Sequence, residues 1–320
     1  MDGFVRIPVG EVVSSAVDWV VANLKGFFDV LRSIFVEMYD ALYWVFETPS
    51  FWAFIVVAAV VAVLIRGWVF GFGTAVGLLV IVGVDQWENA MATLALIIVA
   101  TFWALIIAIP LGILAARSDV FSKIIRPVLD FLQTMPAFVY LIPALLLFRV
   151  GVAPGIVATI IFALAPGVRL TELGIRGVDR EVVEAGHAFG SPSGRILRQI
   201  QLPLALPTIM AGVNQVIMLA LSMVVIAGMV GAGGLGGDVV ASLNRLDTAL
   251  GAEAGLSVVI LAIILDRLTG AFGKRIGLFH RLRAAGDKRR SGQPAPSERE
   301  SPETEGELAA TGGARRAPTA

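Results

Sequence analysis

The chain has 320 residues, 57% of them hydrophobic and only 16% charged, with a mean hydropathy of +0.83 and a formal net charge of zero. These values exclude an ordinary soluble domain, in which about a quarter of the residues carry charge. There is no cysteine, so a disulfide framework, a thiol nucleophile and a cysteine metal site are all excluded, and two histidines far apart give no basis for a metal centre. Long unbroken apolar runs lack the alternation of a membrane barrel, which leaves helices of about 20 residues as the spanning elements.

The first segment, 1–50, holds seven acids and three bases. Asp2, Glu11 and Asp18 depart from the basic-then-apolar layout of a cleaved signal peptide. Leu24, Phe27, Phe28, Leu31, Ile34, Phe35, Met38 and Leu42 share one helical face, with Asp29, Arg32, Glu37 and Asp40 off it. Such a helix either lies in the plane of the bilayer surface or packs on the bundle as scaffold. A membrane domain, 51–273, follows with about seven expected spans: 52–66, 68–84, 91–116, 131–149, 152–170, 204–230 and 252–270. Pro110 and Pro143 are expected to bend the third and fourth of these. The tail 274–320, rich in Gly, Pro, Ser, Glu and Arg, reads as disordered. Its first part, Lys274 to Arg290, carries seven bases against the single acid Asp287 and reads as a cytoplasmic retention signal or a contact with anionic lipid.

Between the fifth and sixth spans, 171–203 leaves the bilayer and predicts two short helices. Asp179 caps the first, with Glu181 and Glu184 favourable in its opening turns. Val182, Val183, Ala185 and Phe189 form its apolar face, and Gly190 suits a left-handed C-terminal cap. Ser191-Pro192 then restarts the chain as N-cap and first helical residue, and Leu202-Pro203 ends the second helix. A short helix with a compact apolar and acidic face is built to insert into a groove on another protein.

Residues 184–203 read Glu184-Ala185-Gly186, His187, Ala188, Phe189, Gly190, nine further residues, then Ile200-Gln201-Leu202-Pro203. This resembles the EAA motif of ABC-importer permeases: Glu-Ala-Ala, three residues, Gly, nine residues, Ile, one residue, Leu-Pro. Only Gly186, in place of the second alanine, departs from it, at a cost in local helix stability of about 1 kcal/mol. The resemblance makes Glu184, Ala185, Gly186, Phe189, Gly190, Ile200, Leu202 and Pro203 the coupling residues that sit in a cleft of an ATPase. The chain itself holds no phosphate-binding loop, since the one glycine-lysine pair, Gly273-Lys274, is followed by Arg275. ATP and magnesium therefore belong to a separate polypeptide, and this chain is expected to be no enzyme and to hold no cofactor. Gly231, Gly233 and Gly236 spell a dinucleotide fingerprint but lack a surrounding strand-helix-strand unit, so close helix packing or a flexible outer loop accounts for them.

Inside the sixth span, Asn214, Met218, Ser222 and Val225 make a stripe that either lines a pore between two copies of the chain or hydrogen-bonds to a neighbouring helix. From Asp85 to Leu268 the chain is similar to one family in particular. The stretches that carry the likeness are Met91-Ala92-Thr93-Leu94-Ala95-Leu96, Pro110-Leu111-Gly112, Gln133-Thr134-Met135-Pro136-Ala137-Phe138-Val139-Tyr140-Leu141, Pro207 to Gln215, Leu219 to Ala227 and Ile263 to Thr269. They resemble the permease subunits of glycine betaine/proline importers, the quaternary-amine uptake group of ABC transporters. What this implies is an all-α polytopic protein of the type I importer fold, with its core at 85–270, in a bacterial inner membrane. It also implies an assembly of two permeases, two cytoplasmic ATPases and an extracytoplasmic binding protein, in contact with lipid and with no nucleic acid. If 171–203 is cytoplasmic, so are Arg66, the Arg117/Lys123/Arg126 loop and the C-terminus, and the N-terminus is outside. The alternatives are the same machinery carrying choline or another quaternary amine, or a stand-alone secondary transporter.

Overall fold

A computed structural model describes the backbone of residues 8–290 and the side chains of 8–271, apart from those of Val9 and Val13. By contacts the chain divides into Met1–Leu278 and Phe279–Ala320. The second unit contributes, among the described residues, only the helical backbone of 279–290. Every regular element among the described residues is helical.

The first helix, α1 (Val9–Glu47), is broken in its regularity at Leu24, whose φ of −113° and ψ of 16° leave helical space. Beyond that point Phe28, Leu31, Phe35, Met38 and Leu42 pack into a core shared with Ala95, Val99, Phe148 and Ile156. Edge-to-face ring pairs, Phe28 on Phe148 and Phe35 on Trp103, add direction to that contact. Arg32 Nε donates to the Phe148 carbonyl at 2.9 Å, and Arg149 pairs with Asp29 at 3.0 Å. The periodic face therefore packs as scaffold on the bundle, while Leu24, Phe27 and Ile34 stay exposed.

Two shorter helices follow, α2 (Phe51–Arg66) and α3 (Trp68–Gly83), joined at Gly67. The centre is formed by α4 (Trp87–Arg117), α7 (Val152–Arg176) and α10 (Leu202–Ser222). Small residues let α4 and α7 touch. A Cβ at Gly112 would stand 2.7 Å from the Val168 carbonyl, and one at Gly167 would stand 2.7 Å from Ala108 Cβ. In lipid, where apolar transfer gives helices little reason to associate, such close backbone approach supplies the van der Waals contact.

Between α4 and α7 lie α5 (Asp119–Thr134) and α6 (Ala137–Phe148), which meet at 98°. The expected span 131–149 crosses this break. Met135 is extended, at φ −69° and ψ 136°, because the ring of Pro136 disfavours the helical region for the residue before it. The bend thus falls at Pro136, whereas Pro143, expected to cause it, sits inside α6. Beyond α10 come α11 (Val224–Gly228), α12 (Gly234–Arg245) and α13 (Thr248–Arg290). Gly228 and Gly236 bring α11 and α12 to backbone contact, so close packing accounts for Gly236, whereas Gly231 and Gly233 take positive φ in the turn between the two helices.

Four helical stretches among the described residues are long and apolar enough to cross a membrane: Trp87–Arg117, Val152–Arg176, Ser193–Gly228 and Thr248–Ala271. The count rises to six if each bent pair, α1 with α2 and α5 with α6, is one span. The expected span 68–84 is a 16-residue helix, short for a crossing. Residues 274–290, expected as disordered, continue α13 as helix; 291–320 lie outside the described residues.

Candidate functional site

The segment after α7 begins with an anchor. Glu172 is only 4% exposed, yet its carboxylate accepts from Ser122 Oγ at 2.7 Å, Arg126 Nη2 at 2.9 Å and Arg176 Nε at 3.0 Å. Arg176 spends its other nitrogens on Asp119 Oδ1, at 2.7 Å, and on the Ala115 carbonyl, at 2.7 Å. All three donors meet Oε1, and a buried carboxylate is tolerable when charged donors converge on it in this way. The result ties α4, α5 and α7 together at the last turn of α7. Asp130 and Arg169 pair beside it, bordering a cavity of about 370 Å³.

Three residues later the chain turns into α8 (Arg180–Ala188). Asp179 caps it as expected, accepting from the Glu181 N–H at 3.0 Å. The helix ends at Gly190, whose φ of +74° is the left-handed conformation that only glycine adopts cheaply. The Gly190 N–H reaches the His187 carbonyl at 2.8 Å and the Ser191 N–H reaches that of Gly186 at 3.2 Å.

The next helix starts one residue later than expected. Pro192 is the N-cap of α9 (Ser193–Ile196), and Ser191 makes no side-chain cap. Nor does Leu202-Pro203 end a helix. A π-helical turn, Leu197–Gln201, carries α9 into α10, so that Ser193–Gly228 is one continuous element. Pro203 lacks an N–H for the carbonyl four residues back, and the wider turn before it absorbs that loss.

The motif residues sort into two sets. Glu184, Ala185, Phe189 and Gly190 are exposed, and Phe189 is 90% so. Val182, Ala185 and Phe189 make an exposed apolar stripe at helical spacing. Gly186, in contrast, is buried, and Ile200 and Leu202 are half-buried. A Cβ at Gly186 would stand 2.9 Å from Ile200 Cδ1 and 3.4 Å from Ile196 Cγ1. The departure from alanine thus lies where α8 meets the start of the long helix. Leu202 and Val183 pack on the cluster of Ile175, Val178, Leu197, Ala205 and Ile209 beneath. Beside α9, Arg117, Arg195 and Arg198 line a basic pocket of about 540 Å³ and have no carboxylate partner among the described residues.

The stripe expected on α10 divides. Asn214 is half-buried and turned to α13: its Nδ2 donates to Asp266 Oδ1 at 3.1 Å, and its Oδ1 accepts from Thr269 Oγ1. This is the hydrogen-bonding alternative for that residue. Gln215, Met218 and Ser222 are exposed on one side of the helix, and Ser222 Oγ donates to the Met218 carbonyl. Sequence reading missed the Glu172 anchor. The i,i+4 pair Glu172 and Arg176 was visible, but its partners Asp119, Ser122 and Arg126 come from a segment 46 to 57 residues earlier.

The family described as binding-protein-dependent transport system inner membrane component matches residues 108–278. Among curated proteins, the chain is 46% identical to the glycine betaine/carnitine transport permease protein GbuB of Listeria monocytogenes, covering 86% of this chain and 99% of that one. It is 47% identical to the glycine betaine/proline betaine transport system permease protein ProW of Escherichia coli, covering 84% and 76%. Among solved structures, the MetNI methionine ABC transporter in an inward-facing conformation matches at a TM-score of 0.56 and 19% identity, covering 60% of this chain and 95% of that one. That last likeness is one of fold.

Proposed function

The chain belongs to the family of binding-protein-dependent inner-membrane transport components, and on that footing we propose that it is the membrane-spanning subunit of an ATP-driven importer of glycine betaine and related quaternary amines. The observation that carries the coupling role is α8: a capped helix with Val182, Ala185 and Phe189 facing outward and Gly186 pressed on Ile196 and Ile200. An exposed aromatic at the tip of such a helix is the kind of anchor that fills a pocket on a partner. The partner is a separate cytoplasmic ATPase, which carries the ATP and magnesium. Arg117, Arg195 and Arg198 beside α9, without a carboxylate partner among the described residues, offer it a basic rim. These arginines also support placing this face, with Arg66, in the cytoplasm and the N-terminus outside.

The translocation path runs along α10 between this chain and a second copy. Gln215, Met218 and Ser222 support this, because an exposed glutamine within a span is costly against hydrocarbon and cheap against a wet path. Gln215 therefore takes the place first given to Asn214. ATP binding draws the motors together and moves α8, opening the path outward to a solute delivered by an extracytoplasmic binding protein; hydrolysis resets it. Cargo choice lies largely with that binding protein, through an aromatic cage around the quaternary ammonium.

The test is uptake of radiolabelled glycine betaine into vesicles holding this chain, its candidate ATPase and its binding protein, with and without internal ATP. ATP-dependent accumulation is expected. Uptake of a different quaternary amine alone would change the cargo, and accumulation without the ATPase would overturn the reading.

A further inference from the structure

On α3 and α13, elements the coupling scheme does not use, lies an open groove of about 510 Å³. One end closes where α3 admits α13: a Cβ at Gly77 would stand 2.9 Å from Ile260 Cγ2. Toward the other end Gly73 has nothing within 4 Å of its missing Cβ, so a furrow opens between Phe70 and Ile264. That end is bordered by Arg66 and Arg267, the only charged residues among the described ones that line the groove. Arg66 Nη1 donates to the Arg267 carbonyl at 3.2 Å, and its guanidinium lies 6.0 Å from the Phe70 ring. Neither arginine has a carboxylate partner among the described residues. Asp266, next to Arg267, is turned the other way, to Asn214 on α10. Trp68, exposed beside the turn between α2 and α3, marks this end as a membrane boundary, where tryptophan sits at headgroup level.

We propose that this groove binds an anionic phospholipid, with an acyl chain along Gly73 and Gly77 and the phosphate between Arg66 and Arg267. Two guanidiniums offer forked donors that match phosphate oxygens. Their uncompensated charge favours a lipid of net negative charge over a zwitterionic one. The furrow from Arg267 to Ile260 is about 10 Å long at 1.5 Å per residue, and it selects a chain-bearing ligand over free phosphate. A lipid seated there fills the gap that the missing side chain of Gly73 leaves between the two helices.

The test uses the purified full-length chain in mild detergent. Native mass spectrometry and thermal melting are followed on adding phosphatidylglycerol, phosphatidylcholine or inorganic phosphate. Retention of phosphatidylglycerol and a raised melting temperature are expected with that lipid alone. The double variant Arg66→Gln/Arg267→Gln should bind it about 25-fold more weakly, roughly fivefold for each arginine. Gly73→Leu keeps both arginines and fills the furrow, so it should also lose the lipid while melting normally without it. An equal response to phosphatidylcholine, a shift with inorganic phosphate alone, or full phosphatidylglycerol affinity in both variants would overturn the site. So would a change of oligomeric state in the variants in place of lost lipid, which would make the groove a contact between copies. None of these readouts depends on transport, so the site and the importer reading fail separately.

Discussion

Replacing Phe189 with alanine separates docking from folding. The ring is 90% exposed in the isolated chain and takes part in none of the ring pairs among the described residues, so its removal leaves the fold almost untouched. If it fills a pocket on the ATPase, burial of the whole side chain contributes about 1.5–3 kcal/mol to docking. Its loss should then weaken the complex roughly tenfold to a hundredfold. The measurement is a titration of purified ATPase subunit against wild-type and Phe189→Ala chain in the same detergent, with melting of each chain alone as control. Uptake should fall with docking, while melting of the isolated chain stays the same. An affinity within about twofold of wild type would refute the anchor assignment, and a lower melting temperature would mean the ring supports the fold instead.

Gly190→Val places a β-branched residue at φ +74°, at a cost of about 1–2 kcal/mol in backbone strain, with no clash because the space around its Cβ is open. Membrane insertion should be normal and uptake lost; normal uptake would count against the coupling role of α8. Glu172→Ala strips the shared acceptor from Ser122, Arg126 and Arg176. Breaking a buried pair costs about 3–5 kcal/mol, and because the Arg126 side chain is 59% exposed and can rehydrate, the lower end is expected. Melting in detergent should drop by several degrees, with Glu172→Gln intermediate, and an unchanged melting curve would show that the cluster is ornamental. Gly186→Ala restores the alanine of the motif. It gains about 1 kcal/mol of helix propensity, offset by a displaced Ile200 Cδ1 at about 0.5–1.5 kcal/mol. Uptake close to wild type is expected, and its collapse would show that Ile200 cannot give way.

What could be read from the sequence followed what is local. Spans such as 91–116 and 152–170 stand out because one long apolar helix needs no partner to declare itself. The caps at Asp179 and Gly190 were legible for the same reason: a side-chain oxygen and a left-handed residue act within a few positions. The periodic face of α1 was equally visible, yet an apolar stripe fits lipid and protein alike, so only packing on Phe148 and Trp103 decides between them. In 131–149 the run is apolar apart from Gln133, Thr134 and Arg149, yet the backbone stops at Met135, because the steric demand of Pro136 on Met135 leaves no trace in an apolar count. The facing of Asn214 was open because a polar residue in a span says that it has a partner without saying which one.

The two ends of α8 are held by unlike means, and that difference bears on how motion passes through it. On the α7 side, Arg176 is bonded to Glu172, Asp119 and the Ala115 carbonyl, which fastens the last turn of α7 to α4 and α5, while Gly174 and Ile175 pack the same turn on Ala205 of α10. On the α10 side the hold is apolar, Gly186 against Ile196 and Ile200, where the π turn Leu197–Gln201 widens the hydrogen-bond ladder of a long helix. Directional bonds at close distance resist displacement in every direction, whereas an apolar contact between a glycine and flexible isoleucine ends lets surfaces slide. If α8 docks as proposed, a pull on Phe189 is shared between these two connections. The α10 stripe of Gln215, Met218 and Ser222 lies 14 to 21 residues past the π turn, about 21–32 Å along the helix at 1.5 Å per residue, so a change in helix direction at the turn would be a displacement at the proposed path-lining face.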